Sequence, residues 1–275
     1  MGINVNEQDA AYLMGGAKPR ISSVLISDSA WLNNPRVRDI YAQMGLKRNG
    51  TDLPDAYLVP EVNRALAEEI DMARLTTLIA EEREKRPEFA EWLDARFVSD
   101  WGKADLPGCA QGTVGAAIRT FIEESGMEID FMFRGEPADD FMYLVKRRVQ
   151  NHDIEHILTG LDPSPVGEIA LIVANTVACF NYFTPELAQM LSFQPMFLAS
   201  TSLMRMACHY PSVTPAMLEG FALGQALGAK QERPFFMIQW EDWIDTPIAE
   251  ARRHFHFEDG PPSGHWGWTF DAAKG

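Results

Sequence analysis

Positive charge is scarce in this chain. Its 275 residues include 24 lysines and arginines against 39 aspartates and glutamates, which gives a formal net charge of −15. A surface with this balance repels phosphate backbones, so we expect no nucleic acid among its partners. The same charge disfavours broad electrostatic binding to anionic lipid, although a local hydrophobic patch could still touch a membrane.

Cysteine is scarce as well. Cys109, Cys179 and Cys208 are an odd number without the short spacings of a structural zinc site. They argue against a disulfide framework and fit a reducing compartment, and Cys179 is interpreted as a buried thiol because it lies in an apolar run. Residues 1–20 carry acidic side chains and no long apolar core. They predict neither a secretory nor a transit peptide, so we expect a cytoplasmic protein.

The sequence also lacks an uninterrupted apolar run of membrane-spanning length. The longest apolar segment, Val166 to Phe183, contains Glu168, Asn175 and Asn181. We interpret it as a buried helix of a globular protein and not as a membrane span.

Strand signals are few, and helical patterns account for most of the chain. Only Ile21 to Ile26 and Phe235 to Gln239 are typical of strands, and both are short and isolated. Helical periodicity and punctuation predict helices at Leu58 to Lys85, Gln111 to Ser125, Asp139 to His156, Pro185 to Met206, Pro215 to Gly228 and Trp243 to Phe255.

No repeat and no linker divides the chain. We therefore predict one all-α domain over residues 1–275, a multi-helix bundle with irregular tails at residues 1–20 and 260–275. In the helix that starts at Asp139, apolar residues lead at helical intervals into two histidines, which predicts that the histidines face the interior. The same pattern predicts that four neighbouring polar residues are exposed: Lys146, Arg147, Gln150 and Asn151.

The two histidines are the most informative feature. His152 and His156 are four residues apart, so they lie one above the other on a helix face, at the spacing two imidazoles need to reach one divalent cation. Asp153 adjoins them. After a turn that contains Pro163, Ser164 and Pro165 are typical of an N-cap and a first helical residue, and Glu168 follows in the first turn.

Two helices joined by so short a turn pack as an antiparallel hairpin, which should bring His156 and Glu168 together. A single histidine on an apolar face is usually a hydrogen-bonded core residue, and Glu168 could merely complement a helix dipole. Burying all four groups without a cation would, however, leave two carboxylates with only imidazoles as partners. The candidate metal ligands are therefore His152, Asp153, His156 and Glu168.

Two well-known motif classes fit these residues poorly. A zincin carries His-Glu-x-x-His, and Asp153 is shorter than the glutamate that serves as its general base. An HD-type phosphohydrolase draws a further histidine from an earlier helix, but His152 is the first histidine of this chain.

The pattern His152-Asp153-x-x-His156, then eleven residues, then Glu168 preceded by Gly167, closely resembles the signature of the coenzyme Q (ubiquinone) biosynthesis protein 4 family. The resemblance extends over about Leu106 to Phe257. Its other parts are Leu106-Pro107-Gly108 with Gly115 and Phe121, Tyr143 to Val149, Arg233-Pro234, Trp240-Glu241 and Ala249-Glu250-Ala251-Arg252. The family tends to carry a lysine and a second glutamate where this chain has Ile172 and Asn175, which marks a divergent member.

The resemblance implies an all-α protein with a divalent metal, zinc in the first place, beside a hydrophobic cavity for an isoprenoid chain. It implies a role in maturing the ubiquinone head group, by metal-dependent oxidative decarboxylation of a prenylated aromatic acid at the ring carbon bearing the carboxylate. The alternative is a non-catalytic scaffold that binds metal and isoprenoid and organises other quinone-biosynthesis proteins. A hydrophobic substrate and an acidic surface are compatible in a cytoplasmic protein that visits the inner face of the cell membrane, as a monomer or a homodimer.

The residues add chemical detail to this expectation. A cation held by two imidazoles and one or two carboxylates can accept a substrate oxygen and act as a Lewis acid. The mixed ligands permit zinc but also manganese, iron or cobalt, and zinc itself supplies no redox chemistry. Asp153 and Glu168 are candidate proton carriers, and Arg147 is a candidate contact for the substrate carboxylate, with a solvated helix residue as its alternative. The methionines and aromatic residues from Met190 to Met206 could line an isoprenoid tunnel or fill ordinary core.

Overall fold

A computed structural model describes residues 7–16, 21, 25–48, 58–99, 106, 108–125 and 135–273. Within these ranges every regular element is a helix, which confirms the predicted all-α class. The α-helices are α1 Glu7–Leu13, α2 Ala30–Asn33, α3 Pro35–Leu46, α4 Val59–Ala67, α5 Met72–Lys85, α6 Pro87–Ala95, α7 Val114–Ser125, α8 Asp140–Thr159, α9 Pro165–Tyr182, α10 Pro185–His209, α11 Thr214–Ala229, α12 Ile248–His254 and α13 Trp268–Ala272. Two 3₁₀ helices, Phe235–Met237 and Trp240–Trp243, lie between α11 and α12.

Helix α9 is the central element of the part of the chain that is described. It packs lengthwise against α11 and also against α10. Among the described helices it alone is long and apolar enough to cross a membrane by length and composition, but 56% of its residues are buried inside the protein. Cys179 on this helix is fully buried, as predicted. The burial supports the interpretation of this segment as a core helix.

Three groups of buried side chains hold the helices together. The largest surrounds α9 and includes residues of α8 and α11 together with Phe257 and Trp266 from the C-terminal part. A second joins α5, α6 and the first half of α8 to the end of α9 and the start of α10. A third joins α2, α3 and α4 to α10. Because α8 and α9 contribute to the first two groups, the hairpin between them is anchored on both sides.

Several predicted helix boundaries were wrong. The segment from Leu58 to Lys85 is two helices, α4 and α5, because the Asp71 side chain accepts a hydrogen bond from the Arg74 amide at 2.9 Å and starts a new helix. The segment from Trp243 to Phe255 is the end of a 3₁₀ helix followed by α12, which begins after Pro247.

The strand and tail predictions also need correction. Phe235–Met237 is a 3₁₀ turn that follows Pro234, so the predicted strand at Phe235 to Gln239 is wrong. The predicted strand at Ile21 to Ile26 lies mostly outside the described residues, as does much of the predicted tail at 1–20, although Glu7–Leu13 is helical. The predicted irregular tail at 260–275 contains α13, and Trp266 before it is buried.

The predicted exposure of the polar residues on α8 is wrong as well. Lys146, Arg147, Gln150 and Asn151 are all buried. Their face of α8 packs against irregular chain whose carbonyls need donors: Asn151 donates to the Ile238 carbonyl at 3.0 Å, and Gln150 donates to the Ser99 carbonyl at 2.7 Å. These polar side chains are buried because they donate hydrogen bonds to backbone carbonyls that have no partner in a helix or a sheet.

Candidate metal centre

Helix α8 carries both histidines in its last two turns. Its N-cap is Asp139, whose side chain accepts a hydrogen bond from the Met142 amide at 2.8 Å, and its C-cap is Gly160. The imidazole centroids of His152 and His156 lie 4.8 Å apart, as expected for side chains one turn apart on one face. His156 is nearly buried, with 7% of its side chain exposed, whereas His152 is 45% exposed. One side of the pair therefore faces solvent.

Helix α9 presents Glu168 to these histidines. The Ser164 hydroxyl accepts a hydrogen bond from the Gly167 amide at 3.1 Å, and Pro165 occupies the first turn, which confirms the predicted helix start. Gly167 is required by close approach, because a Cβ at this position would lie 1.8 Å from the Asp162 carbonyl oxygen. The tight turn aims Glu168 back at the end of α8.

The structure brings three of the four predicted ligands together. Nε2 of His156 lies 3.2 Å from Oε1 of Glu168, and Nε2 of His152 lies 3.5 Å from Oε2. One ligand atom from each of the three residues falls within 4.8 Å of the others. Asp153, the fourth predicted ligand, does not belong to this cluster of described residues. Its role as a ligand stays a prediction.

The hydrogen bond of His156 leaves its second nitrogen free for a cation. Nδ1 lies 2.5 Å from the Leu161 carbonyl oxygen, so Nδ1 carries the proton that this acceptor requires. In the neutral ring Nε2 then has a lone pair, and it faces a carboxylate oxygen. Two acceptors at this distance repel each other unless a proton or a metal ion lies between them. Within the described residues Nε2 of His156 has no well-aligned hydrogen bond, and neither has the buried Nδ1 of His152.

The ionisation of His156 is linked to that of Glu168. Burial lowers the pKa of His156, but the close contact of its ring with the Glu168 carboxylate outweighs burial and leaves the pKa raised. Burial raises the pKa of Glu168, and the nearby His156 outweighs this and leaves it lowered. Burial also lowers the pKa of His152, against the attraction of Glu168. Without a metal, a proton on His156 balances the negative charge of Glu168. A divalent ion would balance the same charge and accept the lone pairs of both histidines.

Asp153 lies beside the cluster, and its carboxyl group is largely withdrawn from water. Burial raises the pKa of its carboxyl group, against the attraction of His152 and His156. A raised pKa keeps a proton on the carboxyl group closer to neutral pH than usual, which suits a proton carrier better than a tight ligand.

Arg147 lies in a different set of contacts. Its guanidinium is 1% exposed, donates to the Ile238 carbonyl at 2.9 Å and pairs with Glu241 at 3.2 Å. The alternative interpretation as a solvated helix residue is therefore wrong. These partners include none of the three clustered residues, and its contact with a substrate carboxylate stays a prediction.

A buried carboxylate that the sequence reasoning missed lies on the same hairpin. Glu155 is 4% exposed and accepts a hydrogen bond from the Asn175 amide at 2.7 Å. Burial raises its pKa to about 7, against the hydrogen bond from Asn175 and the charge of Arg148. Ile172 and Asn175 lie one and two turns beyond Glu168 on α9. The sequence feature that could have identified Glu155 is its position between the two histidines of a helix predicted to be buried.

The methionine-rich helix α10 contributes mainly to the core among the residues described. Met206 is fully buried beside α9, Met190 packs against two core groups, and Met196 is 38% exposed. These positions agree with ordinary core filling. The isoprenoid tunnel and the hydrophobic cavity stay predictions.

Known proteins resemble this chain in sequence pattern and in fold. The family model for coenzyme Q (ubiquinone) biosynthesis protein Coq4 matches residues 98–261, more than half of the chain. No curated protein sequence is significantly similar to the chain. A crystal structure from Nostoc punctiforme PCC 73102, of a protein described as belonging to ubiquinone biosynthesis, has a TM-score of 0.60 and 19% sequence identity. The similarity covers 82% of this chain and 99% of that one, and it establishes a common fold. With the histidine–glutamate signature inside the matched region, the chain belongs to the Coq4 family of ubiquinone biosynthesis.

Proposed function

We propose that the cluster binds a divalent metal ion, zinc in the first place, with His152, His156 and Glu168 as its protein ligands. The observation that carries this proposal is the Nε2 lone pair of His156, which points at a carboxylate while Nδ1 is held by a carbonyl. The ligand set suits zinc and also manganese, iron or cobalt. Three protein ligands are the number typical of a site that keeps a position open for substrate.

We propose that this site serves ubiquinone biosynthesis by oxidative decarboxylation of a prenylated aromatic acid. The bond between the ring and its carboxylate breaks, carbon dioxide leaves, and an oxygen atom from dioxygen enters at the same carbon as a hydroxyl group. The second oxygen atom leaves as water, which requires two electrons from a reductant and two protons, and the new hydroxyl group takes one further proton. A redox-active metal or a further cofactor would have to activate dioxygen if the resident ion is zinc.

The exposures of the cluster support access by a substrate. The His152 and Glu168 side chains are 45% and 39% exposed, so a carboxylate or phenol oxygen can approach from that side. A bound divalent ion would supply Lewis-acid stabilisation of negative charge on that oxygen. Asp153, whose pKa burial raises, would serve in this proposal as the proton carrier for the oxygen that enters the ring or leaves as water.

Carbon dioxide release tests the catalytic proposal. Purified protein loaded in turn with zinc, manganese, iron or cobalt is incubated aerobically, with a reductant, with a prenylated aromatic acid whose carboxylate is isotope-labelled. Labelled carbon dioxide and a hydroxylated ring are expected from the wild type and not from His156→Ala. No turnover with any of these metals contradicts the catalytic proposal.

A scaffold that binds metal and isoprenoid is the second candidate, because the cluster also ties the two helices of the hairpin together. It predicts co-purification with other quinone-biosynthesis proteins that depends on an intact hairpin. Glu168→Ala separates the two functions: loss of quinone production with fold and partner binding intact contradicts a role as scaffold alone.

The lipid partner and the location are part of the same proposal. We propose a cytoplasmic protein that touches the inner face of the cell membrane to take up a prenylated precursor. Lipid extraction of purified protein, followed by mass spectrometry, should release an isoprenoid, and a fraction of the protein should sediment with membranes and dissociate without detergent.

A further inference from the structure

The C-terminal segment Gly260–Ala273, the C-terminal strap, lies against the turn between α8 and α9. Trp266 is 1% exposed, and Thr269 and Ala273 are fully buried; Trp266 and Ala273 belong to the core group around α9. Residues 262–273 of the strap lie beyond the region matched by the family model, which ends at residue 261.

The strap is also held by helix α11, outside the hairpin. The Trp266 indole Nε1 donates to Glu219 of α11 at 3.3 Å, and the Thr269 hydroxyl donates to the Trp266 carbonyl at 2.7 Å. At its start, Gly260 approaches so closely that a Cβ there would lie 1.8 Å from the Thr159 carbonyl oxygen. The strap thus covers the last residue of α8 while being anchored on α11.

One carboxylate connects the strap to the turn. Oδ2 of Asp162 accepts a hydrogen bond from the Trp266 amide at 3.1 Å, and Oδ1 accepts one from the Ser164 amide at 3.2 Å. On one side of Asp162 is Leu161, whose carbonyl holds Nδ1 of His156. On the other side is Ser164, which caps the helix that carries Glu168. Asp162 therefore lies between the fixed points of two of the three clustered residues.

We propose that Asp162 is a positioning residue, through which the strap fixes the relative placement of His156 and Glu168 and so sets the affinity of the site for its metal. This inference rests on the metal binding proposed above. Groups that orient metal ligands typically change affinity ten- to a hundredfold when they are removed, about the range expected here. A role in stability alone would lower the melting temperature and leave the metal affinity of the folded protein unchanged.

The test compares four proteins: wild type, Asp162→Ala, Asp162→Asn and Glu258→Ala. Asparagine keeps one of the two acceptor oxygens, and Glu258 is an exposed carboxylate two residues before the strap. Zinc dissociation constants are measured by competition with a chromophoric chelator, well below the melting temperature, with helix content checked by circular dichroism. The visible absorption of the cobalt-loaded proteins reports the ligand geometry.

We expect the dissociation constant of Asp162→Ala to rise about ten- to a hundredfold with a changed cobalt spectrum, Asp162→Asn to fall between, and Glu258→Ala to match the wild type. If Asp162→Ala does not fold, Asp162→Asn carries the test. Dissociation constants equal to the wild type in the folded variants overturn the positioning role and leave the metal site standing. A wild type that binds no zinc, manganese, iron or cobalt overturns both proposals.

Discussion

Nε2 of His156 and Oε1 of Glu168 lie 3.2 Å apart across the hairpin of α8 and α9, and the Leu161 carbonyl already takes the other ring nitrogen of His156. The neutral tautomer that this arrangement selects leaves two acceptors face to face. A proton on Nε2 would remove the repulsion between this one histidine and Glu168. A divalent ion would bind the carboxylate and both histidines.

Glu168→Gln should weaken metal binding by about ten- to a hundredfold, because the amide keeps the size of the side chain but loses the charge that a cation needs. Elemental analysis and chelator competition measure this change. The matched control is Glu186→Gln, since Glu186 occupies the first turn of α10 after Pro185, as Glu168 follows Pro165. If both variants kept the metal, Glu168 would serve only its helix dipole.

Gly167→Ala should prevent the hairpin from closing, because the added Cβ would overlap the Asp162 carbonyl oxygen. We expect loss of metal binding together with a lower melting temperature. In Gly108→Ala, by contrast, the added methyl meets no atom within 4 Å, so this variant should resemble the wild type. Thermal unfolding followed by circular dichroism, with and without zinc, distinguishes the two, and equal behaviour would contradict the close-approach argument.

The metal should stabilise the protein more as the pH rises. In the metal-free protein the pKa of His156 is raised above its unfolded value, so its pairing with Glu168 stabilises the fold at low pH and is lost as the pH rises through the folded pKa. A metal ion binds only the deprotonated ring, so metal binding should replace the stabilisation by the His156–Glu168 pair at pH values above the folded pKa of His156. Melting temperatures are measured with zinc and with a chelator from about pH 5.5 to 8.5. The melting temperature with zinc should exceed that with the chelator by a margin that grows as the pH rises. Curves that stay parallel would contradict the shared use of Nε2 by proton and metal.

Asn175→Leu should destabilise the protein by about 1–3 kcal/mol, because it leaves the buried Glu155 carboxylate without the amide that bonds it. With the pKa of Glu155 raised to about 7, the loss should grow as the pH rises through neutrality and the carboxylate ionises. Urea unfolding at two pH values measures this. The double variant Glu155→Leu/Asn175→Leu should lose less than the sum of its parts.

Arg147→Ala should destabilise the protein by about 1–3 kcal/mol, since it removes the donor of the Ile238 carbonyl and the ion pair with Glu241. The double variant Arg147→Met/Glu241→Met should recover much of that loss. A variant of unchanged stability and impaired substrate binding would instead support the predicted contact between Arg147 and a substrate carboxylate.

The sequence was sufficient for the parts of the site that depend on local spacing. His152 and His156 had to share a helix face, Ser164 and Pro165 marked a helix start, and the short turn placed Glu168 opposite. These are consequences of helical repeat and capping, which act over a few residues.

Contacts between distant segments were not accessible in the same way. The polar face of α8 was predicted to be exposed because polar residues normally face solvent, but carbonyls as far as 91 residues away accept hydrogen bonds from it. The hydrogen bond from Trp266 to Asp162 joins residues 104 positions apart. No periodicity carries that information, and only the tertiary structure does.

The bond between Trp266 and Asp162 has a consequence for synthesis. His152, His156 and Glu168 are all translated about a hundred residues before Trp266, so they leave the ribosome while the segment that completes their turn is still being made. A nascent chain can form the hairpin early but holds it without its final restraint. Under the positioning role proposed for Asp162, a metal ion would be bound tightly only after residues 260–273 have folded over the turn, so metal loading would follow the synthesis of this segment.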